Sequence, residues 1–288
     1  MKNATLDWFI TNKCNSGKCP FCYAPWNQFP KDATLTEAVN ICDEIQKKGF
    51  TQITLCGGEP LLYPHINTII KKLKDNNIKI VFYAGSEIEK IIEVVDYINI
   101  LSLPIEAISM EIQSELRGIK LHVDVFKLLK NLQDSSSRPR IKIGTVVNAV
   151  NINEIEKIFF ELMKYNNVID TWRLYMFSPA GKGKLNESQL LITEKEFQNC
   201  IDNINSLIKK HQVNIDISSR SREANKGYCL IMDSKGYFYR YEEDYIPLDI
   251  TIYDCYEDII KGYDMNRHAL QKEWHTDEKD FLMLENRN

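Results

Sequence analysis

Cys14-Asn15-Ser16-Gly17-Lys18-Cys19-Pro20-Phe21-Cys22-Tyr23 comes just after one short apolar run, Asp7–Thr11, and Cys56-Gly57-Gly58-Glu59-Pro60 follows the next, Gln52–Leu55. Similar runs recur at Ile78–Tyr83, Ile98–Pro104, Ile141–Asn148 and Thr171–Phe177, separated by longer stretches of helical period. Two helices carry clear opening signals. Thr34-Leu35-Thr36-Glu37 reads as a capping box before a stripe of Leu35, Ala38, Val39, Cys42 and Ile45, closed by Gly49. Asn151-Ile152-Asn153-Glu154 reads as the opening of a helix with Ile155, Ile158, Phe159, Leu162 and Met163 on one face. Regular strand–helix alternation points to parallel βαβ units over a buried sheet. Six units fit before residue 180, fewer than the eight of a closed barrel, so the expected fold is α/β, an open partial (β/α)6 barrel.

From Ser178 the pattern changes. Ser178-Pro179-Ala180-Gly181-Lys182-Gly183-Lys184 reads as a flexible loop, and Thr193-Glu194-Lys195-Glu196 caps a helix with Phe197, Ile201, Ile204 and Ile208 on one face. A short strand, Val213–Ser218, precedes a hairpin of Gly227–Met232, a turn at Asp233-Ser234-Lys235-Gly236, and Tyr237–Tyr241. The expected organisation is a core at 1–180 and an α+β extension at 181–288 packed over the barrel mouth as a lid. The 288 residues carry 36 basic and 40 acidic side chains, a net charge of −4. That balance gives no general attraction to nucleic acid or an anionic membrane. No apolar run approaches the roughly 18 residues of a membrane span, and Met1–Asp7 lacks a signal-peptide core. A cytoplasmic, reducing setting is therefore expected, in which the eight cysteines form no disulfide framework.

Cys14, Cys19 and Cys22 form a C-x4-C-x2-C loop after the first strand. Three thiols within nine residues have metal-ligand spacing, because one short loop can direct them at one centre. A structural zinc site usually takes four protein ligands, and no fourth cysteine lies near by in the sequence. Three thiolates on a [4Fe–4S] cluster would leave one iron open. Cys42 sits on a helix face, and the remaining cysteines stand far apart, as buried small hydrophobes do. The cysteine loop and the Gly57–Pro60 turn both follow strand ends, where barrel enzymes place their chemistry. Two glycines permit close backbone approach there.

Together these residues resemble the radical S-adenosylmethionine (SAM) superfamily. The resemblance implies that Cys14, Cys19 and Cys22 hold a [4Fe–4S] cluster, that Tyr23 is the aromatic beside the last of them, and that Gly57, Gly58, Glu59 and Pro60 bind the methionine part of SAM. It also implies reductive cleavage of SAM to a 5′-deoxyadenosyl radical that abstracts a substrate hydrogen, with a flavodoxin- or ferredoxin-type electron donor. The family pattern has three residues between its first two cysteines, where this chain has four, with Gly17 available to absorb the extra one. Ser102 lies in a run similar to the family's fourth strand, and Ser86 falls where a serine stands near SAM. Arg117-Gly118 is similar to an Arg-Gly pair of viperin-like members, whose arginine holds the SAM carboxylate.

The same resemblance implies a small-molecule substrate. Thr145–Asn148 and Trp172–Tyr175 look like the fifth and sixth strands of viperin-like and peptide-modifying members. Lys142 and Arg173 match basic positions of viperin-like enzymes, whereas Thr171 replaces an arginine and Glu242-Glu243-Asp244 is acidic where phosphate contacts would lie. The expected substrate pocket has Lys142, Asn148, Arg173 and Tyr175 at its floor and Tyr228–Arg240 at its roof. That favours an anionic substrate, nucleotide-like or another anionic metabolite such as a carboxylate. A peptide-modifying, maturase-type enzyme is the alternative, and a non-catalytic iron–sulfur or zinc binding protein is the third reading.

Overall fold

The computed structural model describes residues 6–15, 19–25, 29–117, 121–133, 135, 137–225, 230–241 and 244–261. Gly17, Gly118, Tyr228, Cys229, Glu242 and Glu243 lie outside the described residues.

Six parallel strands open the chain, joined by helices except between the third and fourth, where only the 3-10 turns Ile88–Glu93 and Val95–Tyr97 intervene. The strands are β1 (Leu6–Thr11), β2 (Gln52–Gly57), β3 (Lys79–Tyr83), β4 (Ile100–Pro104), β5 (Arg140–Val147) and β6 (Ile169–Met176). Between them run α1 (Leu35–Lys47), α2 (Ile66–Asp75), α3 (Met110–Arg117), α4 (Leu121–Leu132) and α5 (Ile155–Leu162). Neighbouring strands β1 to β6 pair in parallel and in sequence order. The α1 capping box forms as expected, with Thr34 and Glu37 exchanging hydrogen bonds. Asn151 does not cap a helix with its side chain; a 3-10 turn, Ile152–Glu154, precedes α5. Its amide instead donates to the Glu106 and Val146 carbonyls, tying the ends of β4 and β5 together.

The C-terminal segment adds strands at both ends of this sheet. α6 (Glu187–Leu190) and α7 (Glu194–His211) lead to β7 (Asp216–Arg220), which lies later than the sequence reading put it and pairs in parallel with β6. β8 (Leu230–Met232) crosses to the opposite edge and pairs in parallel with β1, followed by β9 (Tyr237–Tyr241) and β10 (Tyr245–Thr251) in antiparallel order. One ten-stranded sheet results, ordered β10-β9-β8-β1-β2-β3-β4-β5-β6-β7. The described part of the segment thus extends the sheet at both edges. Unpaired strand edges expose backbone donors and acceptors, which is the physical reason for short strands to dock there. The hairpin turn is fastened to α1 by Lys235, whose ammonium reaches both Glu37 carboxylate oxygens at 2.8 and 2.7 Å.

Side-chain alternation divides the sheet into two faces. Trp8, Ile10, Ile53, Leu55, Ile80, Phe82, Ile141, Ile143, Trp172 and Leu174 pack with the helices in the main core. Residues between them point to the inner face, where Phe9, Phe29, Ile231, Tyr239 and Tyr245 make a second apolar cluster beside β1. The inner face of β3 to β7 is polar. That difference locates the site.

Candidate active site

The cysteine loop is braced from three sides. At its root, the Asp32 carboxylate accepts from the Thr11 hydroxyl at 2.9 and 3.0 Å and from the Asn12 N–H at 3.2 Å, and pairs with the Lys13 ammonium at 3.1 Å. The Cys22 N–H turns back onto the Cys19 carbonyl at 3.2 Å. On the third side the expected flexible loop is instead a 3-10 turn, Gly181–Asn186, docked on the cysteine segment. Gly183 N–H donates to the Cys22 carbonyl at 3.1 Å, and the Asn186 amide donates to the Pro20 carbonyl at 3.1 Å. Gly181 has φ +50°, and a β-carbon there would stand 2.5 Å from the Ala24 carbonyl oxygen, so only glycine permits this approach. Tyr23 is half exposed and sits edge-on to Phe9 at 5.9 Å between ring centres.

The Gly57–Pro60 turn meets the same loop. Gly58 N–H donates to the Thr11 carbonyl at 2.8 Å and Glu59 N–H to the Lys13 carbonyl at 2.7 Å. A β-carbon on Gly58 would lie 2.1 Å from the Lys13 carbonyl oxygen. The pair of glycines therefore serves the contact between the first two strand ends. The Glu59 carboxylate is fully buried, with three donors on Oε2 and one on Oε1. It accepts from Leu61 N–H at 3.2 Å, Gly85 N–H at 2.7 Å, Ser86 N–H at 2.6 Å and the Ser86 hydroxyl at 3.0 Å. Burial pushes its pKa up to about 7 against those donors. Glu59 and Ser86 thus lock the turn to the end of β3. Pro60 opens a 3-10 turn, Pro60–Leu62, for which Glu59 is the cap.

Arg117 stands beside the cysteines. Its Nη2 pairs with the buried Glu106 carboxylate at 2.6 Å, and its guanidinium lies over the Phe21 ring at 5.1 Å. Glu106 also accepts from the Val146 N–H at 2.8 Å, and burial holds its pKa up. Burial opposes the Arg117 charge, but Glu106 and the thiols of Cys19 and Cys22 more than offset it and raise its pKa. The Arg117 Nε is buried with no hydrogen-bond partner, an N–H available to an acceptor.

Cys14, Cys19 and Cys22 are all free thiols. Among the described residues no three His, Cys, Asp or Glu side chains converge as one metal ion requires; a four-iron cube instead spreads its thiolate ligands over its corners. Three thiols of one braced loop, with a guanidinium beside two of them, form a donor set that fits such a cluster with an open iron.

Further across the inner face lies a group of cations and tyrosines. Register sets Tyr83, Ser102 and Lys142 side by side on β3, β4 and β5. The Lys142 ammonium donates to the Tyr83 hydroxyl at 3.1 Å, and that hydroxyl lies 3.2 Å from the Tyr175 hydroxyl. Arg173 Nε donates to the Ser218 hydroxyl at 2.9 Å, and the Arg220 guanidinium lies 5.8 Å from the Tyr175 ring centre. Burial disfavours ionising Tyr175, yet Lys142, Arg173, Arg220 and the Tyr83 hydrogen bond bring its pKa down to about 8. Of the four expected floor residues, three therefore meet. Asn148 does not, because its amide closes the turn after β5 by bonding the Val146 carbonyl and Val150 N–H. Sequence reading missed Arg220 and Tyr83, which come from strands whose place depends on the sheet.

The profile of the radical SAM superfamily matches residues 8–162. The chain is 24% identical over 281 residues to the S-adenosylmethionine-dependent nucleotide dehydratase of Flammeovirga pacifica, covering 90% of this chain and 92% of that one. It is 29% identical over 189 residues to the protein of that name from Fibrobacter sp. (strain UWH6), covering 60% of this chain but 55% of the relative. Streptococcus suis SuiB, solved with its precursor peptide SuiA, superposes with a TM-score of 0.69 at 15% identity, over 82% of this chain and 58% of that one. That likeness shows the fold. With three free cysteines after β1 and the glycine turn after β2, a profile match over more than half its length means that the chain belongs to the radical SAM superfamily, as an enzyme that uses a [4Fe–4S] cluster and SAM.

Proposed function

We propose that this enzyme acts on a nucleotide, removing the elements of water from it as the name of the Flammeovirga and Fibrobacter relatives describes, and that the hydroxyl lost is one of its sugar. Cys14, Cys19 and Cys22 hold the cluster, and the backbone of the Gly57–Pro60 turn with Arg117 holds SAM. When bound, these cofactors supply the radical chemistry that takes a hydrogen atom from the substrate. The observation that carries the nucleotide reading is the convergence of Lys142, Arg173 and Arg220 on one inner-face patch, the first two almost fully buried. Buried cations are retained where they are paired or meet an anion, and guanidinium groups suit phosphate. Asp244, expected to oppose phosphate, pairs with Lys184 at 3.6 Å.

Each residue then has a physical task. Lys142, Arg173 and Arg220 bind phosphate oxygens through charge-assisted hydrogen bonds. The aromatic wall of Phe9, Phe29, Tyr239 and Tyr245 keeps bulk water from the side nearest β1. The electron arrives from a flavodoxin- or ferredoxin-type donor. No helix among the described residues is long and apolar enough to cross a membrane.

The test is a substrate panel for the anaerobically reconstituted enzyme with SAM and a reductant. Nucleoside mono-, di- and triphosphates should stimulate 5′-deoxyadenosine formation, and uncharged nucleosides should not. The fold shared with SuiB keeps a peptide substrate in the panel. Stimulation by peptides alone would replace the nucleotide reading with the peptide-modifying one.

A further inference from the structure

The polar network on the inner face links three side chains, Lys142, Tyr83 and Tyr175. Lys142 has only N–H donors, so the Tyr83 oxygen accepts from it at 3.1 Å. The Tyr175 oxygen lies 3.2 Å from that of Tyr83, within reach of the Tyr83 proton. With Tyr83 donating, the Tyr175 O–H meets no further acceptor among the described residues, and its side chain is half-buried on the face where Lys142, Arg173 and Arg220 gather. We propose that Tyr175 is the acid of this site, giving its phenolic proton to the hydroxyl that leaves the substrate.

This rests on the nucleotide reading and deepens it. After a hydrogen atom has left the adjacent sugar carbon, the C–O bond of the hydroxyl breaks with its electron pair going to oxygen. That oxygen takes the Tyr175 proton and departs as water. The sugar is left one electron short, and the electron comes from the same low-potential, flavodoxin- or ferredoxin-type donor. Tyr175 is left as a phenolate, which solvent reprotonates. The surroundings suit both states. Lys142 on β5, Arg173 on β6 and Arg220 on β7 stabilise the phenolate, and Tyr83 on β3 donates to it. The carboxylate of Asp7 on β1 acts on Tyr83. A hydrogen-bond chain of this kind strengthens along its length, which gives the cationic patch a role beyond holding phosphate.

One measurement needs neither SAM nor substrate. Ultraviolet difference titration of the reconstituted full chain, with Tyr175→Phe as reference, should show one phenolate forming near pH 8. Arg220→Gln should move that midpoint upward, because a stabilising cation is gone. The second measurement uses a sugar-deuterated nucleotide. Tyr175→Phe should still pass deuterium to 5′-deoxyadenosine while dehydrated product falls by about 100-fold or more, the usual reach of general acid catalysis. If no Tyr175 phenolate forms below about pH 9.5, close to an ordinary tyrosine, or if Tyr175→Phe keeps its product rate, the assignment is overturned. Should no nucleotide support deuterium transfer in the unaltered enzyme, the nucleotide reading falls, and the titration alone then decides whether Tyr175 is an acid poised at this face.

Discussion

The Lys142 ammonium and the Tyr83 hydroxyl meet at 3.1 Å across β4, on the sheet face away from the helices. A lysine in a strand of alternating pattern is a solvated charge on one face and a ligand-binding group on the other, and this contact fixes which face it takes. Lys142→Met keeps the length and apolar stem but removes the charge. Nucleotide affinity should fall about 10- to 100-fold, the value of a hydrogen bond to a charged group. Equilibrium dialysis with a nucleoside triphosphate checks this, and an unchanged affinity would remove Lys142 from the phosphate site.

The cysteine loop should govern iron content alone. Replacing any one of Cys14, Cys19 or Cys22 with alanine should abolish the approximately four irons and four sulfides of a reconstituted cluster. Gly58→Ala should act the same way through backbone displacement, because its β-carbon would fall 2.1 Å from the Lys13 carbonyl oxygen at the loop's root. Iron and sulfide analysis after anaerobic reconstitution reads both. Zinc at one equivalent per chain with no iron would contradict the assignment.

Glu59 predicts a pH dependence of stability. Its pKa rises from 4.5 to about 7 on folding, so between those values the folded chain binds more protons than the unfolded one. Its contribution is therefore fully present below about pH 4.5 and is lost as pH rises through 7, on the order of 3 kcal/mol in all. Glu59→Gln should remove that slope. It should also cost about 1–3 kcal/mol, because its amide NH2 faces an N–H donor where an oxygen accepted before. Urea unfolding from pH 5 to 8 on both proteins gives the difference directly.

Arg117 and Glu106 should behave as one unit. Arg117→Ala leaves the Glu106 carboxylate buried without its cation, which costs about 3–5 kcal/mol. Arg117→Ala combined with Glu106→Gln should recover a large part of that loss, while SAM binding stays weak in both. Thermal unfolding paired with SAM titration separates the two effects. Full SAM affinity in the double variant would show that the guanidinium does not touch the cofactor.

The amino-acid sequence by itself determined the strand–helix alternation, the capping boxes at Thr34 and Thr193, the cysteine loop and the glycine turn. Each of these is local: a cap spans four residues, and a short loop aims its own thiols. What only the tertiary structure decided is which distant side chains share the inner face. Tyr83 and Tyr175 are 92 residues apart in the chain, and Arg173 and Ser218 are 45 apart; sheet register brings each pair together. The same holds for the C-terminal segment, whose strands read locally as a hairpin and a lid. Their docking on β1 and β6 follows from the unpaired edges of the finished sheet, which no single stretch of sequence contains. Asn148 shows the reverse case: a polar residue at a strand end, expected to face a ligand, is taken up by neighbouring backbone N–H and carbonyl groups that must find partners once buried.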